Sequence, residues 1–188
     1  MRSMYGSNVK PSLIIAILLG VTLILWFFPC YTLTNEYKDY LKENSFSYSQ
    51  YQETIEVYNE VRPSVYNLIF GGEKVAEVNG YELEIDYDDS VLVNLRWIFG
   101  FHVIALILAA YIFKNEDVAD LKVHKAILAG LLMICGIGFF SITGGSGHAL
   151  FALLDIEMSS CRQALGMYGS YITYFACIIL GMVCQKLD

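Results

Sequence analysis

Polar and apolar positions divide this chain into four long uncharged runs separated by charged stretches. Ser12–Phe28 is an uncharged run of seventeen residues bounded by Pro11 and Pro29. At 1.5 Å per residue it is near the lower limit for crossing a hydrocarbon core of about 30 Å, and it predicts a first span over 12–29. Val91–Phe113 predicts a second span around an uncharged Trp97–Phe113. Ala126–Gly147 predicts the third and Gln163–Gln185 the fourth. A charged connector (114–125) and a short polar-side connection (148–162) join them, the latter with an apolar start that suggests an interfacial helix.

The stretch 31–90 is different, with its polar and tyrosine-rich composition. Thr34 or Asn35 caps a predicted short helix over Thr34–Asn44, with Tyr37, Tyr40 and Leu41 at helical spacing. After Gln52 the period shortens. Thr54–Asn59 alternates, Val65–Phe70 is β-rich and closed by Gly71-Gly72, and Lys74–Val78 ends at Asn79-Gly80. Tyr81–Asp88 then alternates strictly, with Glu82, Glu84, Asp86 and Asp88 on one face. Asn-Gly between two such runs signals a hairpin, because both central residues of a type I′ turn need positive φ. The expectation is an antiparallel sheet of three or four strands, resting on the short helix or the tops of the membrane helices. The predicted fold class is therefore an integral membrane, mainly α, bundle of four transmembrane helices. A small extracytoplasmic antiparallel β-rich loop domain sits between helices 1 and 2.

Composition sharpens this. Hydrophobic residues are 56% of the 188 and charged residues only 16%, where soluble domains carry about 25%. A net charge of −7 argues against a nucleic-acid partner. The apolar Ser12–Phe28 follows a basic lead and so competes with a signal-peptide reading. Trp26-Phe27-Phe28-Pro29-Cys30 is too bulky for a cleavage site, so an uncleaved helix with Trp26 as interfacial anchor is expected. Six of the twelve basic residues fall in the short segments 1–10, 114–125 and 186–188, which predicts a multi-pass plasma-membrane protein with both termini cytoplasmic. Fifteen of the nineteen acids then lie outside.

Membrane helices associate through close packing, and small residues four apart allow it. Ala16/Gly20, Ala105/Ala109, Ala126/Gly130 and Gly166/Ser170 supply one such pair per span.

No motif of catalytic, cofactor-binding or metal-binding strength occurs. His102 lies inside the second span, six residues beyond Arg96, whose side chain is expected to snorkel to the headgroups. An intramembrane histidine is a proton-relay or ligand candidate, against the plainer reading that Thr22, Ser141 or a carbonyl satisfies it. Gly144-Gly145-Ser146-Gly147-His148 follows a helix and lacks Lys-Ser/Thr, so it reads as a helix stop. The acids 82–89 do not match a calcium loop, and a solvated strand face is the ordinary reading, with a cation site and a surface for a basic partner as equal alternatives. Cys30 and Cys161 both map to the outer boundary, where a disulfide is a candidate clamp. Cys135 and Cys177 read as packing residues.

The plan resembles that of the claudin-type tetraspans: four helices, internal termini, a large first outer loop rich in strands, and an arginine (Arg96) where that loop re-enters the membrane. The family's loop carries a Trp followed by a Cys pair. Tyr31–Ser90 has neither a Trp nor a Cys, with Cys30 just at its edge, so the resemblance implies the architecture and no junction or channel function. The leading expectation is a non-enzymatic accessory or scaffold that binds another membrane or envelope protein, with self-association a further option. Tyr48, Tyr51, Tyr58, Glu82, Glu84, Asp86 and Asp88 are the candidate contacts. The alternatives are a small transporter or channel component using His102 and Arg96, and, ranked last, a lipid-acting membrane enzyme.

Overall fold

A computed structural model describes residues 10–52, 64–70, 74–78, 81–85, 89–115, 120–145 and 161–186. The described residues are mostly helical. Three helices are long and apolar enough to cross a membrane: α4 (Asp89–Asn115), α5 (Lys122–Phe140) and α6 (Leu165–Lys186). The first helix, α1 (Pro11–Leu25), is equally apolar but shorter, at fifteen residues. Pro11 at its first turn suits a position whose N–H has no intrahelical acceptor.

These four helices pack as a ring in chain order, α1 on α4, α4 on α5, α5 on α6, and α6 back on α1. The buried positions explain why. In α1 they fall at Ser12, Ile15, Leu19 and Thr22, continuing to Trp26. In α4 they fall at Leu95, Ile98, His102, Ala105, Ala109 and Ile112. In α5 they include Lys125, Leu128, Leu132, Cys135 and Phe139, and in α6 Met167, Ser170, Tyr174, Cys177 and Cys184. The steps alternate three and four, the spacing that keeps a seam facing the bundle axis in antiparallel helix bundles. Each helix leaves bulky apolar side chains on its outer face, such as Ile17, Ile107, Ile134 and Phe175.

The α1–α6 seam is the tightest. A Cβ added at Gly166 would lie 2.5 Å from the Phe28 carbonyl oxygen and 2.8 Å from that of Pro29. A Cβ at Gly169 would meet Leu25 at 2.7 Å. Of the four predicted small-residue pairs, Gly166/Ser170 and Ala105/Ala109 lie in seams. Gly20 and Gly130 have nothing within 4 Å of such a Cβ, because both fall off the three-four stripe of their helices. At the opposite end, the Lys10 ammonium lies 5.8 Å from the Phe113 ring centroid.

Beyond Leu25 the chain leaves the helix and runs alongside the start of α6. Strand β1 (Tyr31–Leu33) pairs antiparallel with β4 (Cys161–Gln163), Tyr31 opposite Gln163 and Leu33 opposite Cys161. The Ala164 N–H donates to the Cys30 carbonyl at 2.8 Å, and the Gly166 N–H to Pro29 at 3.1 Å. Helix α2 (Asn35–Asn44) follows, its N-terminus capped by the Thr34 hydroxyl, which accepts from the Tyr37 N–H. None of its residues is buried.

Three expectations change here. Val65–Phe70 is a helix, α3, not a strand. Ser64 caps it by accepting from the Asn67 N–H at 3.1 Å, and Val65, Leu68 and Ile69 are buried at helical spacing. The β-branched composition of the run yields to this cap and to the core it covers. Second, the described strands do not form one sheet of three or four. They form two separate two-stranded ladders, β1 with β4, and β2 (Lys74–Val78) with β3 (Tyr81–Ile85). In the second ladder Val78 faces Tyr81 and Glu77 faces Glu82. Third, Trp26 is not an interfacial anchor. It is 2% exposed, since it continues the buried stripe of α1 into the bundle end. Thr54–Asn59 and the predicted interfacial helix after His148 lie outside the described residues.

Replacing Gly166 by Leu is expected to cost roughly 3 kcal/mol or more, because the obstacle is backbone that cannot rotate away. Gly20→Ala and Gly130→Ala are expected within about 1 kcal/mol of the parent. Denaturant unfolding of the purified protein in detergent compares the three, and equal stabilities would refute the close α1–α6 approach.

Candidate functional site

The intramembrane polar candidates the sequence offers are Arg96 and His102, and His102 lies where three helices meet. Its position in the α4 seam buries the ring fully. Nε2 lies 3.1 Å from the Leu19 carbonyl of α1, and Nδ1 lies 2.7 Å from the Tyr174 hydroxyl of α6. A carbonyl can only accept, so Nε2 carries the proton. In the neutral ring Nδ1 then accepts from the Tyr174 O–H. Both nitrogens are satisfied without a charge, which a buried site in a membrane helix requires. Of the partners expected for it, a backbone carbonyl is used, that of Leu19, whereas Thr22 and Ser141 are not. Thr22 instead shares a hydrogen bond of 2.7 Å with Thr173 across the α1–α6 seam.

Aromatic rings enclose this junction. Trp26 lies 5.0 Å from the His102 ring centroid and Tyr174 meets it edge-on at 5.6 Å. Phe139 of α5 stacks on Trp26 at 6.0 Å, so all four helices contribute. The Trp26 indole N–H is buried and has no hydrogen-bond partner among the described residues. Helix α3 closes the end of the bundle above it. The Tyr66 N–H donates to the Trp26 carbonyl at 2.9 Å, and the Tyr66 ring stacks on Phe27 at 4.6 Å.

Arg96 has a partner inside the protein. Its Nε donates to the Ile69 carbonyl at 3.1 Å, tying α4 to the C-terminal end of α3. That placement suits a cation, because the last carbonyls of a helix lack partners. Arg96 and His102 therefore do not converge on one site. His102 faces the seam, whereas Arg96 is exposed at the loop end.

Cys30 and Cys161 are not joined. Cys30 is a buried free thiol. The ladder sets Cys161 opposite Leu33, while Cys30 aligns with Ala164. An offset of three strand residues is about 10 Å, beyond the roughly 7 Å limit for Cα atoms of a disulfide. Burial pushes the Cys30 thiol up to about 12.

The outer candidates are dispersed. Tyr48 is exposed on a helical turn at 48–52 and stacks on Tyr51 with centroids 6.2 Å apart. Glu82 and Glu84 lie in β3, opposite Glu77 and Val75. Tyr58, Asp86 and Asp88 lie outside the described residues. Among the described residues no three His, Cys, Asp or Glu side chains gather as metal ligands. The run from Ser141 to Gly145 is a π-helical turn ending α5, and Thr143 within it bonds the Tyr171 hydroxyl at 2.8 Å. Sequence reading missed Tyr174, Thr173 and Tyr171. The available signal was that Tyr174 and Thr22 fall on the three-four stripes of their own helices.

No protein-family model, no curated protein and no solved structure matches this chain.

Two measurements test the site. A double-mutant cycle of His102→Leu and Tyr174→Phe is expected to show a coupling of about 1 kcal/mol, the usual scale for interhelical hydrogen bonds in membranes. Purely additive effects would mean that the two side chains do not meet. Maleimide at pH 7.5 is expected to leave Cys30 unmodified in the folded protein, since a thiol raised to about 12 holds almost no thiolate there. After unfolding without reductant it should be alkylated, and failure to react then would restore the disulfide.

Proposed function

We propose that the chain is a small plasma-membrane protein whose four ring helices all cross the bilayer, with both termini cytoplasmic. We propose further that it acts as a non-enzymatic accessory or scaffold for another membrane or envelope protein. Helix α1 alone is about 22 Å long, and the apolar Trp26–Phe28 that follows, with modest local thinning of the bilayer, would complete its span. The concentration of basic residues in the short segments near helix ends supports the orientation.

The observation that carries the accessory reading is the row of exposed aromatics on the segment after β1. Phe46 is 99% exposed, Tyr48 68% and Tyr40 56%. Bulky aromatics left in water at the outer face are what protein interfaces use as anchors. The acidic residues of β3 and beyond would add charge selectivity toward a basic partner. Self-association through the same surface is the alternative occupant. The transport reading has less support, because both His102 nitrogens are engaged by protein groups.

A photo-reactive amino acid at Phe46 is expected to link the protein to one distinct membrane or envelope chain in its own membranes. The triple change Tyr40→Ala, Phe46→Ala, Tyr48→Ala should abolish co-migration of that chain in native mass measurements. Adducts with itself alone would replace the accessory reading with homo-oligomerisation. No adduct would remove it.

A further inference from the structure

A groove of about 480 Å³ runs along the outer face of the bundle between α5 and α6. Gly136 forms its floor, and Phe140, Tyr171, Ile172, Phe175 and Ile178 are among its walls. The absence of a side chain at 136 lets Ile178 pack against the α5 backbone there: a Cβ would lie 2.8 Å from Ile178 Cδ1. The volume falls in the range of about 300–1,000 Å³ that accepts small molecules.

Three features define what fits. The walls are hydrocarbon and aromatic rings, and the neighbouring Ile134, Phe140, Ile172 and Phe175 are exposed on the same two apolar helices. The groove is short, spanning 136–140 on one helix and 171–178 on the other, or about 6 and 10 Å. A neighbouring membrane helix would need a seam several times longer. Finally, among the described residues, polarity appears at one end of the groove. The Tyr171 hydroxyl meets Thr143 of the π-helical turn at 2.8 Å, and Gln163 Nε2 lies 3.5 Å from it, towards the loop end of the bundle. π-helical turns are frequent at functional sites.

We infer that this groove holds one acyl chain of a glycerophospholipid from the loop-side leaflet, with the ester region level with Thr143, Tyr171 and Gln163. The inference rests on the membrane reading and not on the accessory reading. It therefore concerns the purified chain alone.

The test places a tryptophan reporter in the groove, Phe175→Trp, in a Trp97→Phe background, which leaves only the buried Trp26 besides the reporter. Ile134→Trp, exposed on α5 outside the groove lining, is the control. Each protein goes into phosphatidylcholine vesicles containing a rising fraction of lipid brominated on its acyl chains. Plain and brominated lipid compete equally, so a site holding one chain is expected to quench the groove reporter in direct proportion to the brominated fraction, with half-maximal quenching at a roughly twofold higher fraction than for the control, which several exchanging chains touch. Superimposable curves would mean ordinary lipid contact and overturn the proposal. A quenched control with a silent groove reporter would mean that protein covers the groove, and would also overturn it. Phe140→Trp replaces Phe175→Trp should the latter fail to fold.

Discussion

The ring of helices closes because its first and last members approach at backbone distance. Gly166 sits against the carbonyls of Phe28 and Pro29, and its own N–H bonds the second of them. From that contact the chain on both sides is drawn into register, as Ala164 bonds Cys30 and β1 pairs with β4. A carbonyl past the end of α1 has no intrahelical donor and needs one from elsewhere. The start of α6 supplies it, and only a residue without a side chain permits the approach. Ser170 and Thr173 then turn their hydroxyls to their own helix, and Thr173 also reaches Thr22.

The polar groups inside the ring follow the same economy. Lipid offers no hydrogen bonds, so a buried polar side chain gains by finding a partner within the protein, and the Trp26 indole N–H is an exception among the described residues. His102 does so in two directions at once, and thereby links α1, α4 and α6. Its neutral tautomer follows from one acceptor-only partner. The aromatic rings around it fill the space where α1 ends, and α3 covers that end. Arg96 contributes by holding α3 rather than by entering the core.

The outer part of the chain is organised differently. Helix α2 buries none of its residues, and its aromatic neighbours face outward. A ten-residue helix is marginal in water by itself. Function at this face and lipid contact along α5 and α6 are thus separate questions, one concerning a protein surface and the other a groove in apolar walls.

What the sequence by itself determined was everything carried by local periodicity. The uncharged runs marked the apolar helices, Thr34 marked a cap, and Asn79-Gly80 marked adjacent strands. Each of these depends on residues within one or two turns of one another. What the tertiary structure decided depends on partners far along the chain. Val65–Phe70 has the composition of a strand, yet a serine cap and the bundle end beneath it make it a helix. Gly166 and Gly130 each head or close a small-residue pair in the sequence, yet Gly166 is pressed against the Phe28 and Pro29 carbonyls while Gly130 lies off the buried stripe of its helix. His102 finds Tyr174 seventy-two residues later and Leu19 eighty-three residues earlier. Cys30 and Cys161 share a boundary, but the ladder register holds them apart. Spacing along a chain fixes which face a residue occupies. Only packing fixes what that face meets.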